Sequence, residues 1–242
     1  MRKRAMEFFD RQWSSYRAIV EHDLMEHQAV ADATATALEH WLAARAADAP
    51  APTLLDLGCG DLALLAPLLR RLPLGSYTGL DLAPVVLPLA RQALGPVPYS
   101  SQWVEGDLLG WAEGRLEIDA ASRPDILHSA FAIHHLPDEA KARFLEEARR
   151  RLAPGGLLLW ADVFREPGEA RESYLKRYSG RMRGWQVLTP EQRERAIDHV
   201  HQCDLPAERG RIEAVAAAAG WHWRWAWQGS HRAEALAVLT PA

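Results

Sequence analysis

The sequence is poor in cysteine, in net charge and in long apolar runs. Only Cys59 and Cys203 occur among 242 residues, too few for a disulfide framework or a Cys-rich zinc centre, and a reducing cytoplasm is the expected compartment. The 28 Lys and Arg nearly balance 32 Asp and Glu, leaving a formal charge of -4, so no global attraction to nucleic acid or to an acidic membrane is expected. No stretch approaches the roughly 18 apolar residues of a membrane-spanning helix. The basic start meets Glu7 and Asp10 before any apolar segment, unlike a signal or transit peptide. A soluble cytoplasmic protein, monomer or homodimer, is the expectation. Phe and Tyr are also scarce at five each, against ten Trp, which makes the placement of each indole worth following.

What is there falls into three stretches. Residues 1–48 hold neither Pro nor Gly, and Met6, Phe9, Trp13 and Tyr16 step by three and four as an apolar helical stripe. Asp23 with Glu26 has capping-box spacing for a second helix running through Leu38, Trp41 and Leu42. Residues 1–50 are therefore expected to form an N-terminal helical cap.

From Thr53 onward, strand and helix patterns alternate. Strands are expected over 53–57, 76–82, 101–105, 125–131 and 156–164, with helices over 61–71, 84–94 and 138–152 between them. Alternation of this kind builds an α/β fold, a mostly parallel sheet with helices on both faces. Residues 165–209 break the rhythm with Arg-rich sequence, then 212–219 reads as a helix and 221–227 and 233–239 as an antiparallel hairpin. The expected architecture is thus one Rossmann-like, doubly wound, seven-stranded domain over 51–242, with 165–209 inserted as a helical lid.

The strongest local signal is Asp-Leu-Gly-Cys-Gly at Asp56 to Gly60, with Ala63 following in a G-x-G-x-x-A pattern. Glycines at the end of a first strand let the chain turn tightly and bring bare backbone against a ligand. Asp81 closes the second strand, where a carboxylate accepts from both hydroxyls of a ribose, and Asp107 follows the third. A dinucleotide and S-adenosylmethionine both carry that ribose. Carboxylates clustered around the loop repel a pyrophosphate and favour a sulfonium and an ammonium, so acidic charge selects the cationic ligand.

Taken in order, the motifs Asp56 to Gly60, Gly79 to Asp81, Gly106-Asp107, Asp125 to Phe131 and Arg151 to Gly156 resemble those of class I S-adenosylmethionine-dependent methyltransferases. The resemblance covers roughly residues 53–164. It implies S-adenosylmethionine as cofactor and S-adenosylhomocysteine as product. It also implies that Asp56 and the Gly58, Cys59 and Gly60 backbone hold the methionine part, and that Asp81 holds the ribose. Leu82 would cover an adenine face, Asp107 would bind the adenine amino group beside Leu108, and Ser129, Ala130 and Phe131 would line the pocket near the sulfur.

The methyl acceptor is expected above the ends of the first and fourth strands, where His134 and His135 follow the fourth. Either imidazole could take a proton there, or shape the turn. Trp13, Tyr16, His27, Tyr174, Tyr178 and His199 are candidates for contact with a small-molecule acceptor, with Trp111 and Trp185 as further walls. Ser-Ala-Phe-Ala-Ile-His-His replaces the Asn- or Asp-Pro-Pro-aromatic motif typical of enzymes that methylate base amines or protein glutamine, which argues against a nucleic-acid acceptor. His199, His201, Cys203 and Asp204 have metal-like chemistry, but only two are strong nitrogen donors, so no metal is expected. Three alternatives share these residues: a synthase that remodels the sulfonium, a NAD-dependent oxidoreductase, and a non-catalytic binding module. Trp221, Trp223, Trp225 and Trp227 alternate with smaller or polar residues and are expected on one face of a strand, as packing rather than recognition.

Overall fold

A computed structural model describes residues 15–118 and 123–242. Five strands, β1 (Thr53–Leu57), β2 (Ser76–Asp81), β3 (Ser100–Glu105), β4 (Ile126–Ala130) and β5 (Leu157–Arg165), run parallel. Two more, β7 (Trp221–Gln228) and β8 (Glu234–Pro241), close one edge antiparallel, giving the order β3-β2-β1-β4-β5-β8-β7. An eighth strand, β6 (Ala207–Glu208), adds two residues beside the end of β5. The order reverses between β1 and β4, so the ends of those strands diverge and open a crevice.

Helices cover both faces because the strands are apolar on both. On one face α1 (His27–Ala43), α2 (Ala66–Leu69) and α3 (Leu87–Leu94) place Leu38, Leu69 and Ala90 against Leu54, Tyr77 and Leu159. On the other, α4 (Leu108–Ala112), α5 (Asp138–Arg151) and α8 (Arg209–Ala218) set Trp111, Phe144, Leu145 and Ile212 against Leu127, Leu158 and Trp160. Acidic residues in the first turn of α5 and three arginines in its last complement the helix dipole. A third apolar cluster lies beyond the strand ends, where α6 (Arg171–Met182) and α7 (Pro190–Cys203) pack Tyr178, Met182, Trp185 and Val200 together.

Four expectations are corrected. The helix expected over 61–71 is only the single turn of α2, because Leu62 takes a left-handed φ of 58° and the chain turns there. Asp23 and Glu26 form no capping box: Glu26 is itself left-handed, and its carboxylate accepts from Ser230 in the hairpin instead. The four closing tryptophans do not share a face. A bulge between Trp225 and Trp227 shifts the register, so Trp223 and Trp225 pack with Trp160 and Phe164 while Trp227 joins the opposite layer. Trp111 is core, 2% exposed, with the Arg151 guanidinium 5.2 Å above its ring, and it is not among the residues lining the cavity at the strand ends. The segment expected to be a lid holds two helices, and α7 opens with a Thr189 and Gln192 capping box.

Candidate active site

A cavity of about 390 Å³ opens at the β1/β4 divergence, within the range of small-ligand pockets. The glycine loop forms its floor. Gly58 and Gly60 take φ of 80° and 55°, a conformation that side chains resist, and a Cβ on Gly58 would stand 2.5 Å from that of Ala132. Loop and second strand are tied together: Gly58 and Cys59 N–H donate to the Leu80 carbonyl at 2.7 and 3.0 Å. Gly60 N–H donates to Asp81 Oδ2 and Ala83 N–H to Asp81 Oδ1, both at 2.9 Å. Each Asp81 oxygen therefore keeps a lone pair for a ligand. Burial raises the Asp81 carboxyl above its ordinary range, against the pull of those N–H groups, and the Asp56 charge adds to the rise. Cys59 faces the same space, its thiol pushed up by burial and by Asp56 and Asp81, and therefore unreactive.

Asp56 is 1% exposed, and each of its oxygens meets one buried partner, the Tyr77 hydroxyl at 3.0 Å and His128 Nδ1 at 2.7 Å, so little of it is open to a ligand. It contributes charge beneath the loop more than a free contact. His128 and Tyr77 were missed in the sequence, where an alternating strand position was their only sign. Asp107 caps α4 by accepting from Leu109 N–H at 3.1 Å and lines the cavity beside Leu82 and Leu108. Of the residues expected near the sulfur, Ala130 at the end of β4 and Phe131 just after it reach the wall, and Phe131 has a left-handed φ of 52°. Ser129 does not: it is fully buried and its hydroxyl donates to the Leu57 carbonyl at 2.7 Å. Five aspartates, Asp56, Asp61, Asp81, Asp107 and Asp204, line the cavity, and among the described lining residues there is no Lys or Arg.

The far end is apolar and roofed by α6, α7 and residues 15–25. Tyr16, His27, Tyr178 and His199 all line it, together with Ile19, Met25, Met182 and Trp185. Tyr174 lies behind the wall, stacked on Tyr178 at 5.3 Å and 13°, so no direct acceptor contact falls to it. Trp13 lies outside the described residues. His201 turns away to Ser179 at 2.7 Å and Arg181 pairs with Glu234 at 2.6 Å. Burial pushes His27 down to about 4, leaving a neutral ring against Phe131, centroids 5.0 Å apart.

His134 and His135 reach the cavity from a 3-10 turn, Ile133–His135. Burial alone would lower His134, but the Asp162 and Asp204 carboxylates outweigh it and bring the ring up to about 10. His135 is pushed down to about 3 by burial and by His134, and His199 down to about 4 by burial. Asp162 was not anticipated; its sole mark in the sequence is one acid inside the buried run of β5. The turn is braced from below by Lys141, fully buried, whose ammonium donates to the carbonyls of Leu136 and, at 2.6 Å, of Leu205.

Residues 54–156 match the methyltransferase domain family. A trans-aconitate 2-methyltransferase of Azoarcus sp. (strain BH72) is 36% identical over 108 residues, 45% of this chain and 38% of that protein. A carboxy-S-adenosyl-L-methionine synthase of Chromohalobacter salexigens is 29% identical over 152 residues, 60% of this chain and 53% of that protein. The chain thus spans about half or less of the length of these curated relatives. Among solved structures, magnesium protoporphyrin IX methyltransferase from Synechocystis PCC 6803, with S-adenosylhomocysteine bound, aligns over 100% of both chains at TM-score 0.67 and 16% identity. CalO1, a methyltransferase of calicheamicin biosynthesis, aligns over 86% of this chain and 54% of its own at TM-score 0.53 and 26% identity. Over residues 54–156 the chain is similar to methyltransferase domains, and its fold is that of the solved methyltransferases it aligns with.

Proposed function

We propose that this protein moves a methyl group from S-adenosylmethionine to a small-molecule acceptor with an apolar body. The observation that carries the reading is the cavity's charge: five aspartates and, among the described lining residues, no Lys or Arg. That wall favours a ligand bearing a sulfonium and an ammonium and opposes a pyrophosphate, which argues against the NAD-dependent alternative. The bound cofactor supplies an electrophilic methyl on positively charged sulfur. Asp81 offers its two remaining lone pairs to the ribose hydroxyls, and the Gly58 to Gly60 backbone fits close beneath. Leu82, Asp107 and Leu108 hold the adenine side. Ala130 and Phe131 border the methyl-donating end, while the Asp56 charge supports the cationic part from below.

The acceptor would enter between Tyr16, His27, Tyr178 and His199 and present its nucleophilic atom on the side of His134 and His135. The roof of α6 and α7 acts in this reading as the lid that excludes water, and alignment of the reacting atoms supplies much of the rate. Sulfonium remodelling to a carboxylated product would call for a cation to meet the new carboxylate; the described wall holds no Lys or Arg, and its one raised imidazole, His134, is already held by Asp162 and Asp204. The net charge of -4 supports a small acceptor rather than a nucleic acid.

Titration calorimetry with S-adenosylmethionine and S-adenosylhomocysteine, followed by transfer of labelled methyl to hydroxylated aromatics and small carboxylic acids, tests the proposal. Saturable binding of both nucleotides and label in one acceptor class are expected. No binding at sub-millimolar concentration refutes the reading, and an altered sulfonium detected by mass spectrometry would move it to a synthase.

A further inference from the structure

The acceptor end holds a cluster that alignment alone does not use. Asp204 follows α7, is 5% exposed, and its Oδ1 accepts no hydrogen bond. Three imidazole nitrogens surround that oxygen: His134 Nε2 at 3.5 Å, His135 Nδ1 at 3.7 Å and His199 Nε2 at 3.5 Å. Such distances are long for hydrogen bonds. They lie close to the edge of a tetrahedron around an ion with bonds of about 2.0–2.1 Å, which is about 3.3 Å. One donor atom from each of His134, His135 and Asp204 falls within 4.8 Å of the others.

The support behind the cluster fits the same chemistry. His134 Nδ1 meets Asp162 Oδ1 at 2.5 Å, and Asp162 is itself held at Oδ2 by the His134 N–H and the Trp160 indole N–H, each at 2.9 Å. A carboxylate on Nδ1 fixes the ring and turns Nε2 toward Asp204, the arrangement that orients metal-ligating histidines, and an ion bound there would displace the Nε2 proton. Two nitrogens and one carboxylate suit a borderline ion of the zinc class better than magnesium or calcium, which take oxygen ligands.

We propose that His134, His135 and Asp204 form a binding site for one divalent transition-metal ion of the zinc class, open toward the acceptor end of the cavity. This reverses the expectation of no metal. That expectation looked along the chain at 199–204, whereas the donors converge from the turn after β4 and the end of α7. The fourth position faces His199 and would hold an acceptor through an oxygen or sulfur atom. That role rests on the methyl-transfer reading; the metal site does not.

The test loads the full chain with zinc, or with cobalt(II) as a spectroscopic probe, and measures metal by mass spectrometry and cobalt by its visible absorption. About one equivalent per chain and the intense spectrum of four-coordinate cobalt are expected. Binding should fall at least tenfold in His135→Gln and in Asp204→Asn. Asp162→Asn, a change at a positioning residue, should weaken it by about 10–100-fold. His135 has 36% of its side chain open, so that variant should fold, which circular dichroism checks. Wild type binding less than about a tenth of an equivalent at micromolar zinc overturns the proposal. So does stoichiometric binding that survives both ligand substitutions. S-adenosylhomocysteine titrated into the same samples separates the two readings: metal binding in the expected pattern without nucleotide binding leaves the site standing and removes methyl transfer.

Discussion

Replacing Asp81 by Asn changes one oxygen for an NH2 group and removes one charge, and the structure sets what each change should do. The two carboxylate oxygens each accept one backbone N–H, from Gly60 and from Ala83, both at 2.9 Å. An amide satisfies one of these and opposes the other with its own donor. Leaving a partly buried N–H without an acceptor costs about 1–3 kcal/mol of stability. The nucleotide loses a charge-assisted contact at its ribose, about 1–3 kcal/mol as well, or about 5- to 150-fold in Kd. Titration calorimetry with S-adenosylmethionine and S-adenosylhomocysteine measures this, with thermal denaturation as control for folding. Both nucleotides share the ribose, so both should weaken, S-adenosylmethionine the more because one of the five carboxylates facing its sulfonium is lost. A change under about twofold in a folded variant, or a loss confined to the sulfonium form, would refute the assignment of Asp81 to the diol.

Three other outcomes follow from the same geometry. Gly58→Ala forces a side chain into a φ of 80° with its Cβ 2.5 Å from that of Ala132; about 1–3 kcal/mol of stability should go, read by chemical denaturation, together with nucleotide binding. Lys141→Met strips two buried carbonyls, Leu136 and Leu205, of their donor, and a loss of about 2–5 kcal/mol is expected in the same assay. His27 has a folded pKa of about 4 against about 6.5 unfolded. The unfolded chain therefore binds the extra proton first, and stability present above pH 6.5 is lost as pH falls toward 4, by about 2 kcal/mol at pH 5. His27→Phe should flatten that part of the pH–stability curve, and an unchanged slope would remove His27 as its source.

Much of the framework was legible along the chain. The β1 strand was expected over 53–57 and runs Thr53–Leu57, and the other six expected strands fall within a residue or two of expectation; only the two-residue β6 had not been foreseen. Strands buried on both faces read as short apolar runs wherever they occur, and a strand-ending glycine pair announces a turn that needs positive φ. The loop and the carboxylates Asp81 and Asp107 stood out for that reason: they sit at strand ends, where the cavity opens.

Other features were decided only by the fold. Leu62, at a left-handed φ of 58°, turns the chain where a helix was expected to have begun, so the helix starts only at Ala66. Trp227 changes face because a single bulged residue reverses the alternation that period-two reading assumes. Trp111 is core because α4 packs against α5, not because its local sequence differs from that of a pocket wall. Above all, Asp162 and Asp204 reach His134 from 28 and 70 residues away in sequence. Local pattern encodes burial and turning, which each segment carries in its own residues. Convergence of charge on one imidazole depends on strand order and on how α7 crosses the strand ends, and only the tertiary structure contains those.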